Sequence, residues 1–178
     1  MESFSYTAFD VETPNRNNNS LCSIGLVHME GGLMTFQREY LVNPEADFDY
    51  SNVLIHGITE EMVYDAPTFP EVWKEIAPFF DGLLIAHNAT FDLSVIKSSL
   101  YRHDLFIPEM YYVCTVLLAR RHIPRERYGS HKLNDLSRGL NITLDHHHAL
   151  SDADACRRIF EYLVRNYGLA ERDVRVYR

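Results

Sequence analysis

Asp10 and Glu12 stand two residues apart in "YTAFDVET", at the end of an alternating run. Side chains alternate across a strand, so the two carboxylates share one face while Phe9 and Val11 share the other. The run is apolar up to Asp10, so the pair sits where a buried strand emerges, the place where open α/β sheets carry their sites. Asp92 lies in the first turn of a helical pattern, "ATFDLSVIKSSLYRHD", directly after the apolar run "LLIAHN". Its face carries Val95, Ile96 and Leu100, so it points toward the sheet edge. Asp152 repeats the arrangement at the start of "LSDADACRRIFEYLVRNYG", above Ala155, Cys156, Ile159 and Leu163. Four carboxylates from three elements can therefore converge. Held together in one cleft, they must either rise in pKa or bind cations. An all-oxygen set suits Mg²⁺ or Mn²⁺ better than zinc or copper. Two such ions clamp a phosphodiester, and the chemistry this favours is phosphodiester hydrolysis.

The stretch "HHHALSDADA", residues 146–155, adds three consecutive histidines. In an extended segment His146 and His148 share a side and His147 takes the other, which argues against one ion held by all three. Ser151 reads as the cap of the last helix. Asp154 lies about 200° round that helix from Asp152 and belongs to its outward face.

The elements that must position these groups follow from periodicity. Phe4 to Glu12, "LCSIGLVHM" and "LMTFQREYLV" read as a β-meander. "HGITEEMVYDAP" holds a short helix with Thr59 as N-cap and Glu60 and Glu61 in its first turn. "TFPEVWKEIAPFF" is helical, with Pro78 near its end. "LLIAHN" is a short buried strand leading into the helix of Asp92. "YYVCT" is a strand running into the helix "VLLARRHI", and "SHKLNDLSRGLN" is a helix capped by Ser130. The last helix ends at Gly168, and the tail "LAERDVRVYR" takes no assigned element. A meander followed by alternating strands and helices predicts an α/β sheet of mixed direction covered by helices.

At 178 residues, 46% of them hydrophobic, the chain suits one domain with a substantial core. No run of apolar residues is long enough to span a membrane, and the first residues lack signal-peptide form. Three separated cysteines argue for reduced thiols and against a structural zinc site, so the expected location is cytoplasmic. Net charge is −8, but it is uneven. Residues 1–96 hold 3 Lys or Arg against 15 Asp or Glu, whereas residues 97–138 hold 8 against 4. Arg120, Arg121, Arg125, Arg127 and Lys132 in the second segment form a candidate track for a polyanion. The polar run "NRNNNS" reads as a turn between the first two strands, with the rim of a site as the sharper alternative.

"FDVET" at 9–13, "HNATFD" at 87–92 and "HHALSDA" at 147–153 resemble, in order and spacing, the three motifs of the DEDDh 3′→5′ exonuclease superfamily. The nearest branch is that of the epsilon proofreading subunit of bacterial replicative polymerase and its stand-alone relatives; "HGIT" at 56–59 resembles a further element of it. The resemblance covers about residues 4–167. It implies a ribonuclease H-like, five-stranded mixed sheet with helices on both sides, forming a single exonuclease domain over 1–178 with a tail at 168–178. It implies 3′→5′ hydrolysis of DNA or RNA, releasing nucleoside 5′-monophosphates with two Mg²⁺ or Mn²⁺ ions. Asp10, Glu12 and Asp152 would be metal ligands, Asp10 shared, with Asp92 supporting the second ion. The motif histidine five residues before the last Asp is His147, the implied general base. His87 and Asn88 would shape the site beside the 3′-terminal nucleotide, and His56 would line its pocket. Thr13 would meet the terminal sugar, while Phe91 reads as core ahead of a base-stacking platform. The implied partner is a single-stranded or frayed 3′ end, with a DNA polymerase as a second partner and no membrane. Only about ten residues lie beyond the core to hold a polymerase, which favours stand-alone action. One departure is "TPNRNNNS", where many relatives have Gly soon after the motif-one Thr. The competing readings are a non-catalytic nucleic-acid or polymerase-binding module, an oligoribonuclease acting on very short RNA and a related endonuclease. A binding module has no need of four acids and a histidine, so the enzyme is preferred.

Overall fold

The first part of the chain forms three strands, β1 (Tyr6–Glu12), β2 (Ser23–Glu30) and β3 (Leu33–Leu41), paired as an antiparallel meander. The computed structural model describes residues 5–178. Phe4, where the sequence pattern starts the first strand and the core, lies outside the described residues. Three helices follow: α1 (Tyr50–His56), α2 (Glu60–Val63) and α3 (Phe69–Ile76). Thr59 caps α2 as expected, its hydroxyl accepting from Met62 N–H. Pro78 ends the regular helix, and the chain continues as a 3₁₀ turn over Ala77–Phe80.

Strand β4 (Leu83–Ala86) leads into α4 (Thr90–Arg102), and β5 (Met110–Cys114) runs into α5 (Thr115–His122). Short α6 (Arg125–Tyr128) and α7 (Leu133–Gly139) precede the long α8 (Ala149–Tyr167). The strand order is β3-β2-β1-β4-β5-β6, where β6 is Arg175–Tyr177. Strands β1, β4 and β5 are parallel, and β6 closes the edge antiparallel to β5.

The sheet thus has six strands, not five. Three residues flanked by charges carry no period of their own, so the tail was illegible as a strand. It is tied down instead by an ion pair between Asp173 and Arg121 of α5. Helix α1 was also missed: none of its residues is buried, so no apolar face marks it.

The core has two layers. Phe9 and Val11 pack under α3 and α4, while Tyr6 and Ala8 pack under α5, α7 and α8. Strand alternation therefore sends Asp10 and Glu12 to the α8 side. Two caps are corrected. The N-cap positions of α7 and α8 are Lys132 and His148, not Ser130 and Ser151. Ser151 lies within α8, where its hydroxyl accepts from Asp145 N–H at 2.8 Å and fastens the preceding loop.

Candidate active site

The sheet opens beside β1. Strand β4 pairs with β1 only as far as Ala8↔Ile85, then leaves the sheet through residues 87–89. Cys22 N–H donates to Glu12 O on the β2 side, so the alternate residue Val11 turns its main chain toward the gap. Asp92 Oδ1 accepts Val11 N–H there at 3.2 Å. Asn88 makes the turn into α4 in the left-handed region (φ 66°), a conformation Asn tolerates better than most residues.

Gly25 pairs with Asp10 across β1 and β2, and α8 presses onto it. A Cβ at Gly25 would stand 2.3 Å from Ala149 C and Leu150 N. The missing side chain lets the first turn of α8 descend onto the sheet and deliver Asp152 to Asp10 and Glu12. One oxygen from each of Asp10, Glu12 and Asp152 lies within 4.8 Å of the others. Asp92 and Asp152 are 2% and 3% exposed and Glu12 is 9% exposed, whereas Asp10 opens partly onto the cleft.

Such a cluster is electrostatically expensive. Burial, then repulsion from Asp152, Asp92 and Glu39, pushes the Glu12 carboxyl up to about 8. Burial also raises Asp92 to about 8, although the Val11 N–H opposes it. Asp10 is raised well above the carboxylate range by burial and by Asp92, Asp152 and Glu12. Asp152 rises by burial too, restrained by its histidine contacts. All-oxygen donors at this spacing, whose charges are costly without a counter-ion, fit a hard divalent cation.

The three histidines separate by partner. His146 Nδ1 lies 3.0 Å from Asp152 Oδ2, and His147 N–H donates to the same oxygen at 3.2 Å. His147 adopts a left-handed backbone (φ 69°), which stacks its ring on His146 with centroids 3.9 Å apart. The expectation that His146 and His147 face opposite ways fails for this reason, since alternation requires extended backbone. His148 Nδ1 instead lies 3.1 Å from Glu39 Oε2 on β3. Glu39 in turn accepts the Ser23 hydroxyl at 2.7 Å. His147 lines the cleft, and burial, then His146, lowers its pKa, so its imidazole is neutral near neutral pH.

Residues at the far side hold the end of β1. Ile58 N–H donates to His56 Nδ1 at 3.0 Å, so the proton sits on Nε2 and is donated to Thr13 O at 3.1 Å. Asn52 Nδ2 donates to Thr13 O at 3.0 Å and lies 3.2 Å from its hydroxyl. Asn52 was not legible in the sequence, although it stands one helical turn from His56; the signal required α1 to be recognised first. Phe91 is 36% exposed and lines the cleft, which corrects its reading as core. Arg16 and Asn18 also line it, so "NRNNNS" forms a rim, fastened by Arg16 N–H to Asp49 and by Asn15 Nδ2 to Asp47 O. The cleft encloses about 470 Å³. His87 stands at its other end, with Nδ1 2.8 Å from the Thr115 hydroxyl.

Residues 7–160 match the model of the exonuclease family (RNase_T). The chain belongs to this exonuclease family. Its place is the DEDDh 3′→5′ branch, as the motifs implied. It is 31% identical over 173 residues to the PolC-type DNA polymerase III of Oceanobacillus iheyensis, which covers 95% of this chain. The chain spans 12% of that polymerase's length. Exonuclease X, solved in complex with 5′-overhanging duplex DNA, superposes with a TM-score of 0.74 at 25% identity, covering 94% of this chain and 96% of that one. The nuclease domain of 3′hExo, a DEDDh family member solved bound to rAMP, shares the fold with a TM-score of 0.72 at 17% identity, covering 99% and 96%. Divalent-metal dependence comes with this exonuclease family. Among the described residues no helix is long and apolar enough to cross a membrane.

The raised carboxylates carry a stability signature. The folded chain holds protons on Glu12 and Asp92 that the unfolded chain releases near pH 4, so stability falls as pH rises from that value through about 8. In EDTA, the melting temperature should fall by at least about 5 °C between about pH 6 and about pH 8, and Mg²⁺ or Mn²⁺ should restore it. A metal-free melting temperature flat across that window would contradict the electrostatic picture.

Proposed function

We propose that the cleft hydrolyses the 3′-terminal phosphodiester of an unpaired nucleic-acid end and releases a nucleoside 5′-monophosphate. The observation that carries this reading is the convergence of Asp10, Glu12 and Asp152 oxygens within 4.8 Å in a cleft that buried Asp92 and the neutral ring of His147 also line. Asp10, Glu12 and Asp152 would hold two divalent ions, Asp10 shared between them and Asp92 supporting the second. The all-oxygen donor set supports Mg²⁺ or Mn²⁺. Two such ions, when bound, supply Lewis-acid stabilisation of the attacking and leaving oxygens.

The chain's own residues do the rest. His147 takes a proton from the attacking water as the new P–O bond forms, a task suited to an imidazole that is neutral near pH 7. The bond from phosphorus to the 3′-oxygen of the penultimate nucleotide breaks, and that oxygen gains a proton from solvent. Thr13, fixed by Asn52 and His56, offers main-chain and hydroxyl groups to the terminal sugar. Phe91 and Ile55 line the cleft as apolar surfaces for the terminal base. A cleft of this volume takes a ligand of one nucleotide's class, so a paired end must fray to enter. Similarity to the PolC-type polymerase and to Exonuclease X supports a DNA end as the substrate.

His147→Ala should lower the rate of 3′-hydroxyl oligomer hydrolysis by about 10²–10⁴-fold. The metal-induced rise in melting temperature should survive, because this change removes no carboxylate. Activity within roughly threefold of wild type would remove His147 from its role.

A further inference from the structure

The cleft does not end at the carboxylates. Past His87, Leu133 and His146 it opens into a second cavity of about 850 Å³, which those three residues also line. Its walls come from the turn between β4 and α4, from α5 and the segment after it, from the segment leading into α7 and from the loop before α8. Arg120, Arg125 and Lys132 line it and are exposed. No carboxylate is among its lining residues, whereas four line the cleft beside it. In a chain of net charge −8 this segregation is the opposite of an evenly solvated surface.

The fold also sorts the five cations of the sequence run. Arg121 turns to the far side and pairs with Asp173. Arg127 lays its guanidinium over the Tyr128 ring, 5.2 Å from the centroid, and does not line the cavity. Arg120, Arg125 and Lys132 have no ion-pair partner among the described residues, and all three face one groove. A charge run on a merely solvated helix surface gives no reason for this sorting.

We infer that this groove binds the phosphodiester backbone of the substrate strand on the 5′ side of the bond that is cut. The inference rests on the exonuclease reading of the adjoining cleft. That cleft is walled on one side by Ile55, His56 and the β1–β2 loop, which suits a terminal nucleotide. The strand that continues from the scissile phosphate must leave by the open side, past His87 and His146. His87 is uncharged there, since burial lowers its pKa to about 4, with the His131 main chain opposing only in part. The first fixed positive charges that the departing backbone meets are those of the groove. Apolar Val116, Ile123 and Pro124 between them offer contact to sugars and bases without reading sequence. The ligand class is therefore a single-stranded polynucleotide, held by phosphate contacts and longer than a dinucleotide.

The test compares wild type, the triple variant Arg120→Gln/Arg125→Gln/Lys132→Gln, and Arg127→Gln. Each is assayed on a single-stranded oligomer and on a dinucleotide across a range of salt. The triple variant should lose at least about tenfold in kcat/KM on the oligomer while keeping dinucleotide cleavage within about twofold. The slope of log affinity against log salt should become shallower by about 2, since each single-strand phosphate contact contributes about 0.7. Arg127→Gln should match wild type on both substrates. Equal losses on both substrates, or an unchanged salt slope, would overturn the groove. Binding of the oligomer in EDTA gives the same comparison without chemistry. If wild type cleaves neither substrate, the exonuclease reading fails, and the groove still stands or falls on the EDTA binding slope.

Discussion

Asp10→Asn should abolish most hydrolysis, by at least about 10³-fold, and yet make the metal-free protein more stable at about pH 8. The two effects have one cause. One oxygen each of Asp10, Glu12 and Asp152 lies within 4.8 Å of the others, and ionisation of Asp10 is opposed by burial and by Asp92, Asp152, Glu12 and Glu39. Asparagine keeps the shape and carries no charge folded or unfolded, so the folded state no longer loses stability, as pH rises, by opposing the ionisation of this carboxyl. The same change removes the oxygen that would be shared by two divalent ions. Metal-ion stabilisation of a phosphoryl transition state is worth several kcal/mol, which is the stated rate loss. The melting temperature of Asp10→Asn should therefore exceed that of wild type in EDTA and respond weakly to Mg²⁺ or Mn²⁺. A variant that is less stable in EDTA but still active would show that Asp10 is a structural residue.

Gly25→Ala should harm both stability and activity although it lies outside the cleft. Its new methyl would fall 2.3 Å from Ala149 C and Leu150 N and 2.4 Å from Ala149 O. These are main-chain atoms at the start of α8, so relief requires the helix itself to lift. Overpacking of this kind costs about 1–3 kcal/mol or more. In a chain of this length that lowers the melting temperature by roughly 2–12 °C. Lifting α8 also withdraws Asp152 from Asp10 and Glu12, and a misplacement of about 1 Å costs on the order of 10²-fold in rate. Gly82→Ala is the control: no atom lies within 4 Å of its Cβ position, and it should behave as wild type. Calorimetry and oligomer hydrolysis on the two variants separate the outcomes. Equal behaviour of Gly25→Ala and Gly82→Ala would refute the close approach of α8.

What could be seen in the sequence was what periodicity and residue type encode. Asp92 and Asp152 each top an apolar helical stripe, and both are buried as that pattern requires. Asp10 and Glu12 fall on the face opposite Phe9 and Val11, because strand alternation has no exceptions within β1. What escaped lacked such a signal. Helix α1 turns no residue into the core, so Asn52 could not be linked to Thr13. Strand β6 is too short to show a period. Glu39 and His148 meet only because the loop before α8 folds back onto β3, a contact between residues far apart in the chain. His147 has a left-handed backbone that no local rule demands of a histidine, and this alone overturned the expected separation of His146 from His147. Gly25 reads as an ordinary strand residue until the helix above it is known.

The central claim is that this cleft removes nucleotides from a 3′ hydroxyl end. The most direct measurement is product analysis on matched 5′-labelled DNA and RNA oligomers, beside a circular single strand, with Mg²⁺ or Mn²⁺ and with EDTA. The account predicts stepwise shortening from the 3′ end, nucleoside 5′-monophosphates as the released product, an intact circle and no reaction in EDTA. Cleavage of the circle, or release of 3′-monophosphates, would contradict it.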